Sequence, residues 1–254
     1  MTINQAFEIL KDAGGIRAAR IITDNTKHFS RIRVWYMARA LRHGVPVAKI
    51  IHQKWFYGMP FYTNKNTLDP RPDTETLVAA VIADNPTAPR ILDLGTGTGC
   101  IIVSLVKNIY GATGTGIDIS RGAIRVARRN IKQFDLSNKI KVIRASFGTR
   151  HAVREKFDII VSNPPYIAIG DTRVDAGAMH DPKCALYAKN QGLSAYEQIA
   201  KNARNWIKSG GKIYLEIGAG QKAAVKKIFR NAGWKFNRAE CDLAGITRIL
   251  IFTI

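Results

Sequence analysis

Residues 90–118 read RILDLGTGTGCIIVSLVKNIYGATGTGID. A short apolar run, 90–94, passes straight into Asp93-Leu94-Gly95-Thr96-Gly97-Thr98-Gly99. Glycines there let the backbone turn sharply and approach a ligand closely. An apolar helix over 99–109 starts at once, so its first N–H groups face the loop. A second strand over 113–118 then ends on Asp118. Strand, glycine loop, helix and strand in succession form the repeating unit of a parallel sheet covered by helices. A dinucleotide fingerprint starting at Gly95 needs a third glycine at position 100, where the chain has Cys100. The loop is therefore built for a different ligand.

Working outward toward the C-terminus, strands are expected at 140–144, 157–162, 212–217 and 247–253. Helices are expected at 120–134, 193–208 and 219–232. The final strand, in ITRILIFTI, reads as an antiparallel partner near the sheet edge. The fold class is thus α/β, a doubly wound sheet. Toward the N-terminus, Thr74 reads as the cap of a helix reaching Ala83, and Pro70-Arg71-Pro72 precedes it. Residues 45–70 form a connector in which Trp55-Phe56-Tyr57 and Phe61-Tyr62 flank Gly58-Met59-Pro60 as a hairpin. Before it lies a small helical unit. Thr2 and Gln5 make a capping box, Gly14-Gly15 end the first helix, a second fits 16–23, and Ser30 and Gly44 bracket a third over 30–43. The expected organisation is 1–50 helical, 51–72 hairpin connector and 73–254 the sheet domain.

The chain is 46% hydrophobic and 23% charged, the balance of a soluble globular protein. No run approaches the roughly 18 apolar residues of a membrane span. The opening MTINQAFEILKDAGG carries Glu8 and no basic-then-apolar pattern, so no secretory signal is expected. Cys100, Cys184 and Cys241 match neither a disulfide framework nor a CxxC site. His28, His43, His52, His151 and His180 lack ligand spacing. No metal and a cytoplasmic location are the expectations. The net charge of +20 is unusual, and residues 1–70 alone hold 11 Lys/Arg against 4 Asp/Glu. Such a field draws in phosphate backbones and acidic surfaces. It reflects either compositional drift or a partner that is RNA, or is bound to RNA as on a ribosome.

The GxGxG pattern after an acid, over Asp93–Gly99, resembles the Rossmann-like class I methyltransferases, whose cofactor is S-adenosylmethionine. Asp93 would then meet the cofactor's ammonium group or hold the loop. Asp118, at a strand end ~20 residues past the glycines, is placed for both ribose hydroxyls, or else joins Ser120 in capping the next helix. Phe147, after the third strand, would stack on the adenine or serve as a core aromatic. Directly after the fourth strand stands Asn163-Pro164-Pro165-Tyr166. Two prolines fix the backbone and remove two N–H donors. The Asn163 side-chain oxygen and the Pro164 carbonyl can then converge on one planar NH₂ group. Such a nitrogen is a poor nucleophile, and holding its hydrogens aims its lone pair at an electrophilic methyl, which is catalysis by orientation. Tyr166 would pack beside the transferring methyl. The tetrapeptide alone suits a glutamine amide or the amino group of adenine, guanine or cytosine.

The surrounding residues narrow this. Phe56-Tyr57-Gly58-Met59-Pro60-Phe61, then Pro70-Arg71-Pro72-Asp73-Thr74-Glu75, DLGTGTG (93–99), SNPPYI (162–167), Asp181-Pro182, Ala185-Leu186, Gly192-Leu193, Leu215-Glu216-Ile217-Gly218 with Gln221, and Asp242-Leu243-Ala244-Gly245 with Arg248 follow in order. This ordered set resembles the HemK-type protein-(glutamine-N5) methyltransferases over about residues 34–254. The resemblance implies a protein glutamine as substrate, that of the GGQ loop in a peptide chain release factor. It also implies that Gly95, Thr96, Gly97, Thr98, Gly99, Asp118 and Phe147 hold the cofactor, with Asn163 near the methyl donor. Asn163, Pro164, Pro165 and Tyr166 would hold the glutamine, and residues 1–50 would dock the substrate. Arg71 would contact the substrate loop, or else pair with Asp73 or Glu75. Three positions depart from the family pattern: Ser146 replaces an adenine-binding aspartate, Asp69 an aliphatic residue, and Ile246 a polar one. The other readings are a glutamine of a ribosomal protein, an RNA or DNA base amino group, and a non-catalytic RNA-associated relic of the fold. Glu216 reads as a sheet support rather than a base.

Overall fold

The computed structural model describes residues 1–149, 153–172 and 176–254, and His151 lies outside them. The chain opens with α1 (Ile3–Asp24), α2 (Arg31–Arg42) and α3 (Val47–Ile51). Thr2 and Gln5 make the reciprocal capping box, and the Ser30 hydroxyl accepts from the Arg33 N–H. The expected break at Gly14-Gly15 is a kink inside one helix, where Gly15 takes φ 83°. The two segments pack as one unit because both bury the same face. Ala6, Leu10, Ala19 and Ile22 meet Val34, Met37 and Ala38 of α2.

A hairpin follows, β1 (Gln53–Phe56) and β2 (Met59–Tyr62). Its two-residue turn is Tyr57-Gly58, both at positive φ, the twist that matches paired strands. Met59 and Pro60 therefore belong to the second strand, not to the turn as the sequence suggested. Phe56 and Phe61 are buried against the main core, whereas Trp55 is 61% exposed. Helix α4 (Pro72–Ala83) begins two residues before Thr74, with Pro72 in its first turn. Thr74 is thus no cap: it is buried one turn in and faces the site described below.

The remainder alternates: β3 (Arg90–Leu94), α5 (Cys100–Asn108), β4 (Thr113–Asp118), α6 (Arg121–Gln133), β5 (Ile140–Arg144), β6 (Phe157–Ser162), β7 (Ile167–Ala168), α7 (Lys183–Leu186), β8 (Tyr187–Ala188), α8 (Lys189–Gly192), α9 (Ser194–Asn202), β9 (Ile207–Glu216), α10 (Lys222–Asn231), β10 (Lys235–Cys241) and β11 (Thr247–Thr253). The main sheet runs β10-β11-β9-β6-β3-β4-β5. It is parallel from β9 to β5, and β11 lies antiparallel between β9 and β10. Strand alternation splits the core into two layers. Ile91, Ile159, Tyr214 and Ile251 face α4 and α5, while Leu92, Ile160, Leu215 and Phe252 face α9 and α10.

Two expected boundaries move. The helix expected over 193–208 stops at Asn202, and β9 starts at Ile207, five residues before its expected start. Ile207 pairs with Phe157, and pairing resumes at Ile159 with Lys212. A bulge at Lys208–Gly211 takes up the slack, and Gly210 adopts φ 75° in it. Strand β10 was not anticipated. KFNRAEC has no apolar alternation because, at the sheet edge, it buries little.

Candidate active site

The glycine loop sits where β3 and β4 end. Gly95, Gly97 and Gly99 have φ of 76°, 55° and 79°, a region that other residues enter only under strain. The Thr96 hydroxyl donates to Asp93 Oδ2 at 2.6 Å, so Asp93 holds the loop. Its other oxygen, Oδ1, is buried without a partner among the described residues. Burial pushes the Asp93 carboxyl up to about 7, with the Asp118 charge adding to the rise and Thr96 opposing it. A cationic group beside Oδ1 would relieve both the lost hydrogen bond and the buried charge. Asp118 Oδ2 accepts from the Gly97 N–H at 3.0 Å and Oδ1 from the Ser120 N–H at 2.8 Å. The Ser120 hydroxyl separately caps α6 by accepting from the Ala123 N–H. Each Asp118 oxygen retains a lone pair for an incoming hydroxyl. Burial raises the Asp118 carboxyl against these two N–H bonds.

Phe147 is half-buried beside the loop, and a Cβ on Gly95 would come within 3.2 Å of its ring. It also packs on the α9 side of the core. Ser146 turns its hydroxyl to accept from the Gly148 N–H. Behind the loop, the fully buried Asn130 of α6 donates to the carbonyls of Thr98 and Tyr62, at 2.8 and 3.0 Å. Its oxygen accepts from the Tyr62 N–H at 2.8 Å. One side chain thus ties the hairpin to the glycine loop. A lone Asn in a basic helix gave no signal of this.

The tetrapeptide leaves β6, and Ser162 anchors its start by donating to the Leu94 carbonyl at 2.7 Å. Pro164 is buried and Pro165 half-buried. Gln221 Nε2 donates to the Tyr166 carbonyl at 3.0 Å while its Oε1 accepts from the Gly218 N–H. Gly192 closes from the other side: any Cβ there would collide with that same Tyr166 carbonyl. Asn163 Nδ2 donates to the Thr74 hydroxyl at 3.0 Å. Thr74 and Asn163 also favour the ionised form of the fully buried Glu216 at the end of β9. Burial pushes the Glu216 carboxyl up to about 7, and the Thr74 bond is the largest effect pulling it back. The Tyr166 phenol rises to about 12, first by burial and then by the Glu216 charge, so it stays neutral.

Asn163, Tyr166 and Glu216 line a cavity of about 490 Å³ together with Arg71, Asp73, Ala185, Leu186 and Arg248. Arg248 bridges Asp73 at 2.9 Å and Asp242 at 2.9 Å. Asp242 also closes the β10–β11 turn through the N–H groups of Ala244 and Ile246. Arg71 pairs with Asp181 at 2.7 Å, while Glu75 accepts from the Tyr57 N–H at the hairpin turn. Lys49 of α3 reaches the same cluster, 2.7 Å from Asp69 and 2.9 Å from Asp181, with all three side chains buried. The charged Asp69, an outlier by family pattern, is therefore matched by a buried cation.

The structure gathers the predicted residues into two adjoining groups. Asp93, Gly95–Gly99, Asp118 and Phe147 surround the glycine loop, and Arg71, Asn163 and Tyr166 line the cavity, whose lining includes neither the two prolines, Pro164 and Pro165, nor a residue of the loop. Sequence reasoning missed Thr74, taken as a cap, and Lys49. It assigned Glu216 to the sheet, although burial at a strand end facing an Asn marks it as part of the site.

Comparison with known proteins follows the same outline. The family model described as the methyltransferase small domain matches residues 65–180. The chain is 36% identical over 248 residues to the bifunctional methyltransferase of Rickettsia felis. That alignment covers 85% of this chain and 47% of that protein, so the chain spans about half the length of that relative. It is 35% identical over 251 residues to the release factor glutamine methyltransferase of Caulobacter vibrioides, covering 96% of this chain and 86% of that one. Among solved structures, a methyltransferase from Pyrococcus furiosus superposes with a TM-score of 0.60 at 17% identity, over 88% of this chain and 98% of that one. At that identity the match shows the fold alone, a class I methyltransferase sheet.

Proposed function

The chain belongs to the release factor glutamine methyltransferase family, and from that premise we propose that it methylates the side-chain amide of a glutamine in a peptide chain release factor. The observation that carries the reading is the Asn163–Tyr166 turn, held on both sides and opening into a cavity at the end of β6, the strand next to β3, which carries the glycine loop. The relatives' activity supports the substrate assignment.

S-adenosylmethionine is the cofactor that family and fold imply, and the residues at the loop fit it. The orphan oxygen of Asp93 suits its ammonium group, the Asp118 lone pairs its ribose, and Phe147 its adenine. When bound, it would supply an electrophilic methyl on a positive sulfur. The chain itself orients. Asn163 Oδ1 and the Pro164 carbonyl accept the two amide hydrogens and fix the lone pair in line with the methyl. Tyr166, kept neutral, forms a wall of the cavity without adding charge. Arg71 and Arg248 at the cavity receive the substrate loop. Residues 1–50 dock the body of the release factor, and their basic surface steers it in. A cytoplasmic location accords with such a substrate, and no helix among the described residues is long and apolar enough to cross a membrane.

Asp118→Ala should weaken S-adenosylmethionine binding by roughly 10- to 100-fold, the worth of hydrogen bonds to a charged group. Titration calorimetry reads this directly, and an unchanged dissociation constant would remove Asp118 from the cofactor site. The functional reading itself is tested by offering methyl-labelled S-adenosylmethionine with release factor, ribosomal proteins and RNA in separate reactions. Label on the release factor is the expected result. Label confined to ribosomal protein or to RNA bases would replace the proposed substrate, and transfer to none would leave a non-catalytic fold.

A further inference from the structure

The acceptor role given to Asn163 needs its amide turned one way, oxygen toward the substrate and nitrogen away from it. An isolated asparagine has no reason to choose. Flipped, it would present N–H donors to the N–H groups of the substrate amide, and no hydrogen bond could form. What sets the direction lies behind it. Asn163 Nδ2 donates to the Thr74 hydroxyl at 3.0 Å, and both side chains favour the ionised form of the buried Glu216 carboxyl. A hydroxyl has one proton to give. With the Thr74 proton turned to the Glu216 carboxylate, the Thr74 oxygen can only accept toward Asn163, which demands the Asn163 NH₂ on that side. An ionised carboxylate accepts and never donates, so the chain Asn163 → Thr74 → Glu216 runs in one direction only. The geometry points to Glu216 as a positioning residue that, through Thr74, fixes the side-chain amide of Asn163 with its oxygen facing the substrate.

The setting supports this. Glu216 is 1% exposed, lines the same cavity, and has one oxygen, Oε2, without a partner among the described residues. Burying a carboxylate that is not fully satisfied costs stability, so its place in this cavity calls for a function that offsets the cost. The charged and titratable groups around it are Asp73 on α4, Arg248 on β11, Tyr166 after β6, Tyr196 on α9 and Cys100 on α5. Burial lifts the carboxyl to about 7 and Asp73 adds to the rise, while Thr74, Arg248 and Asn163 oppose it. Protonated Glu216 can donate to Thr74 and release the constraint. Turnover should therefore rise with pH as this group ionises.

The inference rests on the proposed reaction, so the wild-type enzyme is assayed first on release factor. Glu216→Gln keeps the shape but supplies an NH₂ that can donate to Thr74 and reverse the chain. Its kcat should fall roughly tenfold or more, with the KM for S-adenosylmethionine little changed and the pH dependence near neutrality lost. Thr74→Val should behave alike, and Thr74→Ser, which keeps the hydroxyl, should retain activity. Glu216→Gln with wild-type kcat and pH profile, or Thr74→Val as active as Thr74→Ser, would overturn the inference while leaving the reaction standing. A Thr74→Ser variant as impaired as Thr74→Val would also count against it, since bulk rather than the hydroxyl would then matter. No transfer by the wild type would remove the reaction and the inference together.

Discussion

Asn163→Ala lowers kcat for methyl transfer to the release factor by roughly 10²- to 10³-fold, the scale of removing one preorganised polar group at a reacting centre. The loss falls on kcat because the alanine leaves the glycine loop, Asp118 and Asp93 in place to hold the cofactor. The Pro164 carbonyl remains, but one acceptor alone cannot fix the plane of the substrate amide. Stability should change little, because Asn163 is only half-buried. Single-turnover kinetics check the prediction. A variant that transferred methyl at the wild-type rate would show that orientation by Asn163 is not how the amide is activated.

Lys49→Ala destabilises the fold by about 3–5 kcal/mol, the cost of leaving buried charge without its partner. Lys49 is the cation shared by Asp69 and Asp181, and it also donates to the carbonyls of Asn64 and Thr67. Removing it leaves Asp69 without that cation, holding the Thr63 hydroxyl, whereas Asp181 keeps Arg71. The double variant Lys49→Met with Asp69→Leu should recover much of the loss, since a buried ion pair and an apolar pair of similar volume are often nearly equivalent. Urea unfolding of the three proteins reads both quantities. A single variant within about 1 kcal/mol of wild type would mean that the cluster is solvated and contributes no more than a surface pair. Because Lys49 sits on α3 and Asp181 precedes the cavity-lining Ala185 and Leu186, the single variant should also loosen substrate binding.

The parts legible in the sequence were those whose chemistry is local. The loop Asp93–Gly99 declares itself because glycines at positive φ serve a turn whatever lies elsewhere. Strands β3, β5, β6 and β11 were placed to the residue by short Ile/Leu/Val-bearing runs, and β4, TGTGID, by its place between the helix after the glycine loop and the helix that Ser120 caps. The N-caps at Thr2 and Ser30 follow from side chains three residues from their partners. What stayed hidden depends on contacts across the chain. Lys49 lies 20 residues from Asp69 and 132 from Asp181, and nothing in its neighbourhood distinguishes it from a surface lysine. Thr74 next to a Pro-rich stretch looks like a cap, and only the place where β6 and β9 end turns it into the link between Asn163 and Glu216. Edge strand β10 was missed for the reverse reason: it buries too little to carry a pattern. For Arg71 the local acids on offer were Asp73 and Glu75, and it forms a salt bridge with the distant Asp181.

The most direct test of the central claim is residue-resolved mass spectrometry of a release factor incubated with this protein and S-adenosylmethionine, with Asn163→Ala run in parallel. The account predicts one added CH₂ on the glutamine of the GGQ loop with the wild type and little or none with the variant. A methyl group on another residue, or equal modification by both proteins, would contradict it.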